Sequence, residues 1–185
     1  MVGISRIRRQ QIIREAEGYL DLALLFGESA VPAATRQRLA ERSLAVLARL
    51  GDSGGYGHAH YLRGQALRTM DRFEEAIEPL KLAADAEPSD IHVWLALGWC
   101  YKRTGRLDMA IESLEEALAV DSAKAIIHYN LACYWSLAHN KRQSLEYLAQ
   151  ALKLDPQYRD LIDSESDFDS IRDDPLFQAL TSVIV

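Results

Sequence analysis

Cysteine is scarce in this 185-residue chain, and its scarcity excludes several kinds of site. The two cysteines, Cys100 and Cys133, form no C-x-x-C motif, so neither a zinc site nor a thioredoxin-like redox pair is expected. Both lie in apolar patterns with helical spacing and are therefore predicted to be small buried side chains. A cysteine-poor chain of this kind is typical of a reducing, cytoplasmic location.

Long apolar runs and an excess of positive charge are also missing. The most apolar stretch spans only residues 93–101, whereas a membrane helix needs about 20 residues, so no membrane insertion is expected. Residues 1–20 contain four arginines but no apolar run, which argues against a secretory signal. The net charge is −6, so the domain-wide basic surface typical of nucleic-acid binding is absent, and no nucleic-acid partner is expected.

An internal repeat of 34 residues is the most informative feature that is present. Three rows that start at Gly57, Ile91 and Ala125 align without a gap. The matched positions share small size or an apolar character: Gly64, Gly98 and Ala132; Ala76, Ala110 and Ser144; Leu80, Leu114 and Leu148; Ala83, Ala117 and Ala151. Self-similarity at this period indicates a repeat architecture.

Each row predicts two antiparallel helices. In the second row, Trp94, Gly98 and Tyr101 fall on one helical face. The small residues Gly98 and Ala110 would let two helix backbones approach closely, with larger side chains filling the space on either side. The position between the helices is Asp71, Gly105 or His139, and these residue types tolerate the left-handed backbone that a tight turn needs.

Residues 91–124 closely resemble the tetratricopeptide repeat, and residues 57–90 and 125–158 resemble it with departures. Arg63 stands where the other rows have leucine, and His60 and His128 replace Trp94. The resemblance implies an all-α fold, an α-α superhelix of three regular repeats in which the first helices line a concave groove. It covers 102 of the 185 residues (3 × 34).

Residues 1–56 are predicted to form a helical hairpin that precedes the repeats. Segments 6–26 and 33–50 have helical patterns, and Gly51 is a C-terminal stop signal. Ala40, Leu44 and Leu47 have the same spacing as Ala76, Leu80 and Ala83 in the second helix of the first repeat. Ala16 resembles the face that the first helix of a repeat turns toward such residues. We interpret the hairpin as a divergent repeat that caps the stack, with an unrelated hairpin as the alternative.

Residues 159–185 are predicted to be an acidic capping segment. Ser166 or Asp167 is expected to cap a short turn, and Asp174-Pro175 to begin a last helix over 175–183. A calcium loop is disfavoured, because Phe168 and Asp174 occupy its glycine and glutamate positions. The segment resembles one that ends groups of these repeats in many bacterial proteins. Its apolar residues should cover the last repeat: Leu161, Phe168, Ile171, Leu176, Phe177 and Leu180.

The resemblance also implies which residues face the groove. They are His58, Tyr61, Gln65 and Arg68; His92, Leu95, Trp99, Lys102 and Arg103; and Ile126, Tyr129, Asn130, Cys133 and Ser136. Aromatic residues rimmed by basic ones, such as Trp99 beside Lys102, are typical of a peptide-binding hot spot. Two alternatives stay open at this point: the acidic segment folds back over this surface, or Trp99 packs against a neighbouring helix.

The expected function is a non-catalytic adaptor that binds a peptide or helix of another protein in this groove. Some members of the family grip a peptide carboxylate with basic residues, but the corresponding positions here are uncharged: Tyr61, Gln65, Ala96, Ile126 and Asn130. The alternative is head-to-tail self-assembly into a homo-oligomer, with basic residues 6–14 against acidic residues 160–174. Least favoured is an enzyme or metal protein that uses His58 and His92, and no cofactor is expected.

Overall fold

The computed structural model describes residues 4–24, 31–51 and 57–182, which form ten α-helices and no β-strand. The helices are α1 (Arg6–Leu24), α2 (Ala33–Ala48), α3 (Gly57–Thr69), α4 (Phe73–Ala86), α5 (Ile91–Arg103), α6 (Leu107–Val120), α7 (Ala125–Leu137), α8 (Lys141–Leu154), α9 (Arg159–Ile162) and α10 (Pro175–Thr181). Two 3₁₀ turns, Pro156–Tyr158 and Ser166–Phe168, flank α9. Helices α1 to α8 pack in sequence as antiparallel pairs, which confirms the predicted all-α solenoid. None of these helices is both long and apolar enough to cross a bilayer.

Small residues hold the two helices of each repeat together. Gly64 and Gly98 are buried, and a Cβ on Gly98 would lie only 3.2 Å from the backbone oxygen of Ala110 and 3.3 Å from Leu114. In the third repeat, Ser144 replaces alanine, and its hydroxyl donates to the backbone oxygen of Ala132 at 2.8 Å. The small matched positions therefore set the helix separation, as the alignment predicts.

The turn between the helices of each repeat has the predicted backbone. Asp71, Gly105 and His139 have φ values of 58°, 76° and 57°. All three lie in the left-handed region, where glycine is unstrained and aspartate and histidine are tolerated. One residue in this conformation reverses the chain tightly enough for the two helices to pack antiparallel.

The N-terminal hairpin packs like a repeat, with one contact that the predicted spacing does not include. Ser43 takes the position of Ser144: it is fully buried and donates to the backbone oxygen of Ala16 at 2.9 Å. Leu47 and Leu50, which come after Ser43 in the chain, are also buried in the core, whereas Leu44 is only partly buried. Ala40 and Leu47 of the predicted spacing are themselves fully buried. Ser43 joins them because a buried hydroxyl bonded to a carbonyl serves as well as alanine at the contact.

The segment after the third repeat is held by its own caps and packs on α7 and α8. Asp174 accepts a hydrogen bond from the amide of Leu176 and begins α10 at Pro175, as predicted. The cap of the preceding 3₁₀ turn is Glu165, not Ser166 or Asp167. Residue 183, the end of the predicted last helix, lies outside the described residues.

Part of the predicted apolar cover is in place and part is not. Phe168, Ile171 and Phe177 are buried in the core, and Leu180 packs against it partly buried. In contrast, Leu161 and Leu176 are 50% and 66% exposed. The short helices α9 and α10 each bury one side only, through Ile162 and Phe177, so Leu161 and Leu176 on their other sides remain in solvent.

Candidate functional site

The concave surface is formed by the first helices of the repeats, α3, α5 and α7, and its two ends differ in exposure. Among the predicted groove residues of α3 and α5, Trp99 and His92 are exposed, and His58, Tyr61, Arg68, Leu95 and Lys102 are half-buried. Gln65 is buried and accepts a hydrogen bond from Nε of Arg68 at 2.9 Å. On α7, Tyr129 and Cys133 are buried and Asn130 is half-buried. We therefore distinguish an open half, lined by α3 and α5, from a closed half, lined by α7.

The acidic C-terminal segment covers the closed half. The carboxylate of Asp167 forms an ion pair with Lys102, and the two side chains are only 10% and 17% exposed. The ring of Phe168 meets that of Tyr129 edge to face with centroids 5.9 Å apart, and the hydroxyls of Ser170 and Ser136 lie 3.2 Å apart. Of the two alternatives left open by the sequence, folding back of this segment therefore applies to the third repeat.

Cys133 lies beneath this cover in an acidic environment. Its thiol lies with carboxylate oxygens of Glu165 and Asp167 in a group whose ligand atoms are all within 4.8 Å of one another. Burial, followed by the two carboxylates, raises the pKa of the Cys133 thiol well above its usual range. Because Lys102 already pairs with Asp167 and the thiol keeps its proton, we interpret the group as a packing contact of the covering segment rather than a metal centre.

The other cysteine is also unsuited to nucleophilic chemistry. Burial raises the pKa of the Cys100 thiol to about 11, and the side chain is fully buried. Of the two histidines considered as ligands, His58 faces Glu17 of α1, with Nε2 3.2 Å from a carboxylate oxygen. Among the described residues, neither His58 nor His92 lies in a cluster of three potential metal ligands; the cluster that is found is Cys133 with Glu165 and Asp167.

Trp99 is the most prominent side chain of the open half. It is 36% exposed, and two cations flank its ring: Nζ of Lys102 lies 5.3 Å from the ring centroid, and the guanidinium carbon of Arg103 lies 5.8 Å from it. The same guanidinium stands 4.5 Å above the ring of Phe73. Cations at these distances from aromatic rings are attracted to the ring faces and orient them. Trp99 therefore presents an ordered aromatic surface to solvent.

Beside Trp99 the open half deepens into a cleft of about 540 Å³. Its described walls come from five helices, α1 to α5, and one turn: Ala23 and Leu24, Arg36, Arg68 and Thr69, Asp71, Phe73, and Trp99 and Arg103. Among the described lining residues there are three arginines and one aspartate, so this lining is basic although the whole chain carries a net charge of −6. We refer to this site as the arginine cleft.

Sequence reasoning identified only part of the arginine cleft. Arg68, Trp99 and Arg103 occupy repeat positions that the resemblance assigns to the groove. Arg36 and Phe73 do not, because one belongs to the divergent hairpin and the other begins a second helix. The sequence signal for Arg36 is the presence of three arginines in residues 36–42, but the sequence does not show which of the three lies beside the repeats.

Comparison with known proteins agrees with this architecture. The family model described as a tetratricopeptide repeat matches residues 57–90 and 91–124, in the register of the first two rows. Comparison with curated proteins gives no significant match.

Several solved structures share the fold. A MamA structure ("MamA MSR-1 C2") aligns with a TM-score of 0.60 at 20% identity, covering 80% of this chain and 95% of that one. Another, "Crystal structure of MamA", aligns at 0.62 and 16% identity over 86% and 99%. YrrB, described as "a TPR protein with an unusual peptide-binding site", aligns at 0.59 and 21% over 71% and 65%. The repeat spacing, the family match and the shared fold agree that residues 57–124 are two tetratricopeptide repeats within a helical solenoid.

Proposed function

We propose that this protein is a non-catalytic interaction scaffold that binds a peptide or helix of a partner protein on the open half of its concave surface. Repeats of this family serve as protein-interaction modules, and a structural relative, YrrB, is described as having a peptide-binding site. The observation that carries the proposal is Trp99, a large aromatic residue that is exposed at the rim of a cleft of about 540 Å³. Exposed aromatic residues beside basic ones are enriched among binding hot spots.

The closed half is not included in this binding surface. Tyr129 and Cys133, which the resemblance assigns to the groove, are in contact with the protein's own C-terminal segment. A ligand there would have to displace Phe168, which is completely buried. We therefore restrict the proposed site to α3, α5 and the ends of α1 and α2.

Head-to-tail self-assembly through opposite charges has less support, because some of the acidic residues are used within the chain. Asp167 pairs with Lys102, and Asp174 pairs with Lys141 at 2.6 Å and also caps α10. These carboxylates are not available to the basic residues 6–14 of a second copy unless the C-terminal segment unfolds. The scaffold function therefore remains our preferred proposal.

Replacing Trp99 with alanine should weaken partner binding without unfolding the protein. We expect a loss of affinity of about tenfold or more, as for a hot-spot aromatic residue. The free energy of unfolding should change by less than about 1 kcal/mol, because the side chain is partly in solvent. Peptides selected from a displayed library against the wild-type protein would be measured against the variant by fluorescence anisotropy, with urea unfolding alongside.

The matched control is Leu82→Ala, which removes a 42% exposed apolar side chain from the second helix α4. It should retain wild-type affinity. The proposal fails if the selected peptides bind Trp99→Ala as tightly as the wild type, or if selection yields no peptide above background. A large loss of stability in Trp99→Ala would show instead that the residue belongs to the core.

A further inference from the structure

The C-terminal segment shows what kind of sequence this concave surface holds. Over the closed half, it places an acidic side chain, Asp167, on Lys102, and the following aromatic side chain, Phe168, on Tyr129. Both contacts are well buried: Asp167 is 8% exposed and Phe168 is not exposed. An acidic residue followed by an aromatic one is thus bound within the same chain, the acidic side chain on α5 and the aromatic one on α7.

The 34-residue repeat places an equivalent surface one repeat earlier, in the open half. Arg68 corresponds to Lys102, Leu95 to Tyr129 and Trp99 to Cys133. The cationic and apolar positions that hold Asp167 and Phe168 therefore recur with a cation at Arg68 and apolar side chains at Leu95 and Trp99. In the structure described, this equivalent surface lies beside the arginine cleft rather than beneath the C-terminal segment.

Charge favours the same kind of occupant. Arg36, Arg68 and Arg103 line the cleft, together with one acidic side chain, Asp71, in the part of the chain that the structure describes. Guanidinium groups bind carboxylates through charge-assisted hydrogen bonds that are stronger than neutral ones. Arg36 comes from α2, outside the regular repeats, so the N-terminal hairpin contributes a third cation to this site.

We propose that the arginine cleft binds a segment of a partner protein in which an acidic residue is followed by an aromatic one. The acidic side chain lies among Arg36, Arg68 and Arg103, and the aromatic side chain packs on Trp99 and Leu95. This inference rests on the proposed function, since it specifies the chemistry of the partner at the same site. This mode differs from the capture of a peptide carboxylate by basic residues in some family members, because the corresponding positions here, Tyr61, Gln65 and Asn130, are uncharged.

The probe for this proposal is a labelled synthetic peptide with the sequence of residues 163–171, Asp-Ser-Glu-Ser-Asp-Phe-Asp-Ser-Ile. Binding to the full-length protein would be measured by fluorescence anisotropy. Two further peptides keep the phenylalanine but replace the acidic residues with amides or with lysines. We expect saturable binding of the acidic peptide, at least tenfold weaker binding of the amide peptide, and weaker binding of the acidic peptide as salt increases.

Protein variants locate the site. Arg68→Gln and Arg103→Gln should each weaken the acidic peptide by about tenfold, the effect of losing one charge-assisted contact. The control Arg142→Gln, which removes an exposed arginine from α8, should leave affinity unchanged. Two cleft variants are used so that a folding defect in either one, detected by circular dichroism, does not decide the result.

Four outcomes would overturn the proposal. If the amide or lysine peptide binds equally well and still depends on Trp99, the scaffold function stands but the acidic preference is wrong. If affinity is lost in Lys102→Gln and retained in Arg68→Gln and Arg103→Gln, the peptide has replaced the C-terminal segment instead. Tighter binding of a single-stranded oligonucleotide of equal charge would assign the cleft to nucleic acid. If no peptide binds, the inference fails, while the display selection against Trp99→Ala still decides the proposed function.

Discussion

Introducing leucine at Gly98 should lower the free energy of unfolding by about 3 kcal/mol or more, the upper range for overpacked cores. Even a Cβ at this position would lie 3.2 Å from the backbone oxygen of Ala110. The remaining leucine atoms would enter the space of Leu114, which is fully buried, so α5 and α6 would have to separate. Urea unfolding followed by circular dichroism measures the loss.

Gly18→Ala is the matched control for this substitution. Gly18 also lies within a helix, α1, but a Cβ there would have no neighbour within 4 Å. Alanine should therefore stabilise the protein by about 0.5–1 kcal/mol through helix propensity alone. If Gly98→Leu retained wild-type stability, the close approach of the paired helices would not be what holds the repeats together.

Replacing Phe168 with alanine should both destabilise the protein and open the closed half of the concave surface. A fully buried phenylalanine costs about 3–5 kcal/mol on truncation to alanine, and Phe168 contacts the rings of Tyr129 and Phe177. Loosening this contact should admit solvent to Cys133. We therefore expect faster modification of this thiol by Ellman's reagent, together with a lower urea midpoint.

The location of the effect can be checked within the same protein. Cys100 lies on α5 and is buried against the second-repeat core, so its modification rate should rise much less than that of Cys133, as mass spectrometry of the labelled peptides would show. Leu161→Ala, in the same C-terminal segment but 50% exposed, should change neither rate nor stability appreciably. If Cys133 were modified equally slowly in the wild type and in Phe168→Ala, its protection would not come from the C-terminal segment, and the proposed covering of the groove would be wrong.

Most of the fold could be predicted from the sequence because the repeat imposes the same packing three times. Gly98, Ala110 and Leu114 specify how two helices meet, and Asp71 and Gly105 specify how the chain turns between them. These contacts are local, within one row or between adjacent rows, so spacing alone identifies them. The family match to residues 57–124 reflects the same local signal.

The register of the N-terminal hairpin and the use of the groove depend on non-local contacts. Ser43 is fixed against α1 by a hydrogen bond to Ala16, 27 residues away. The ion pair between Lys102 and Asp167 spans 65 residues and closes half of the concave surface. A pattern of acidic and apolar residues predicts a capping segment, but it does not state which helix the segment covers.

The arginine cleft illustrates the same limit. Arg68 and Arg103 were placed by the repeat register, whereas Arg36 belongs to α2 and joins them because the hairpin packs against α3. Phe73 lines the cleft with its ring beneath the guanidinium of Arg103, a contact between two helices that are not neighbours within one row. Such convergence of helix ends depends on the curvature of the stack, which no short sequence pattern specifies.

Nuclear magnetic resonance titration of the ¹⁵N-labelled protein with the peptide of residues 163–171 tests the division of the concave surface most directly. The three tryptophans give separate indole signals, so Trp99 can be followed beside the backbone amides. We predict saturable shifts at Trp99, Arg68 and Arg103, with the amides of Tyr129, Cys133 and Ser136 unchanged. Shifts concentrated on α7 with release of the C-terminal segment, or no saturable shift at Trp99, would contradict an open half that binds a partner and a closed half that the chain itself occupies.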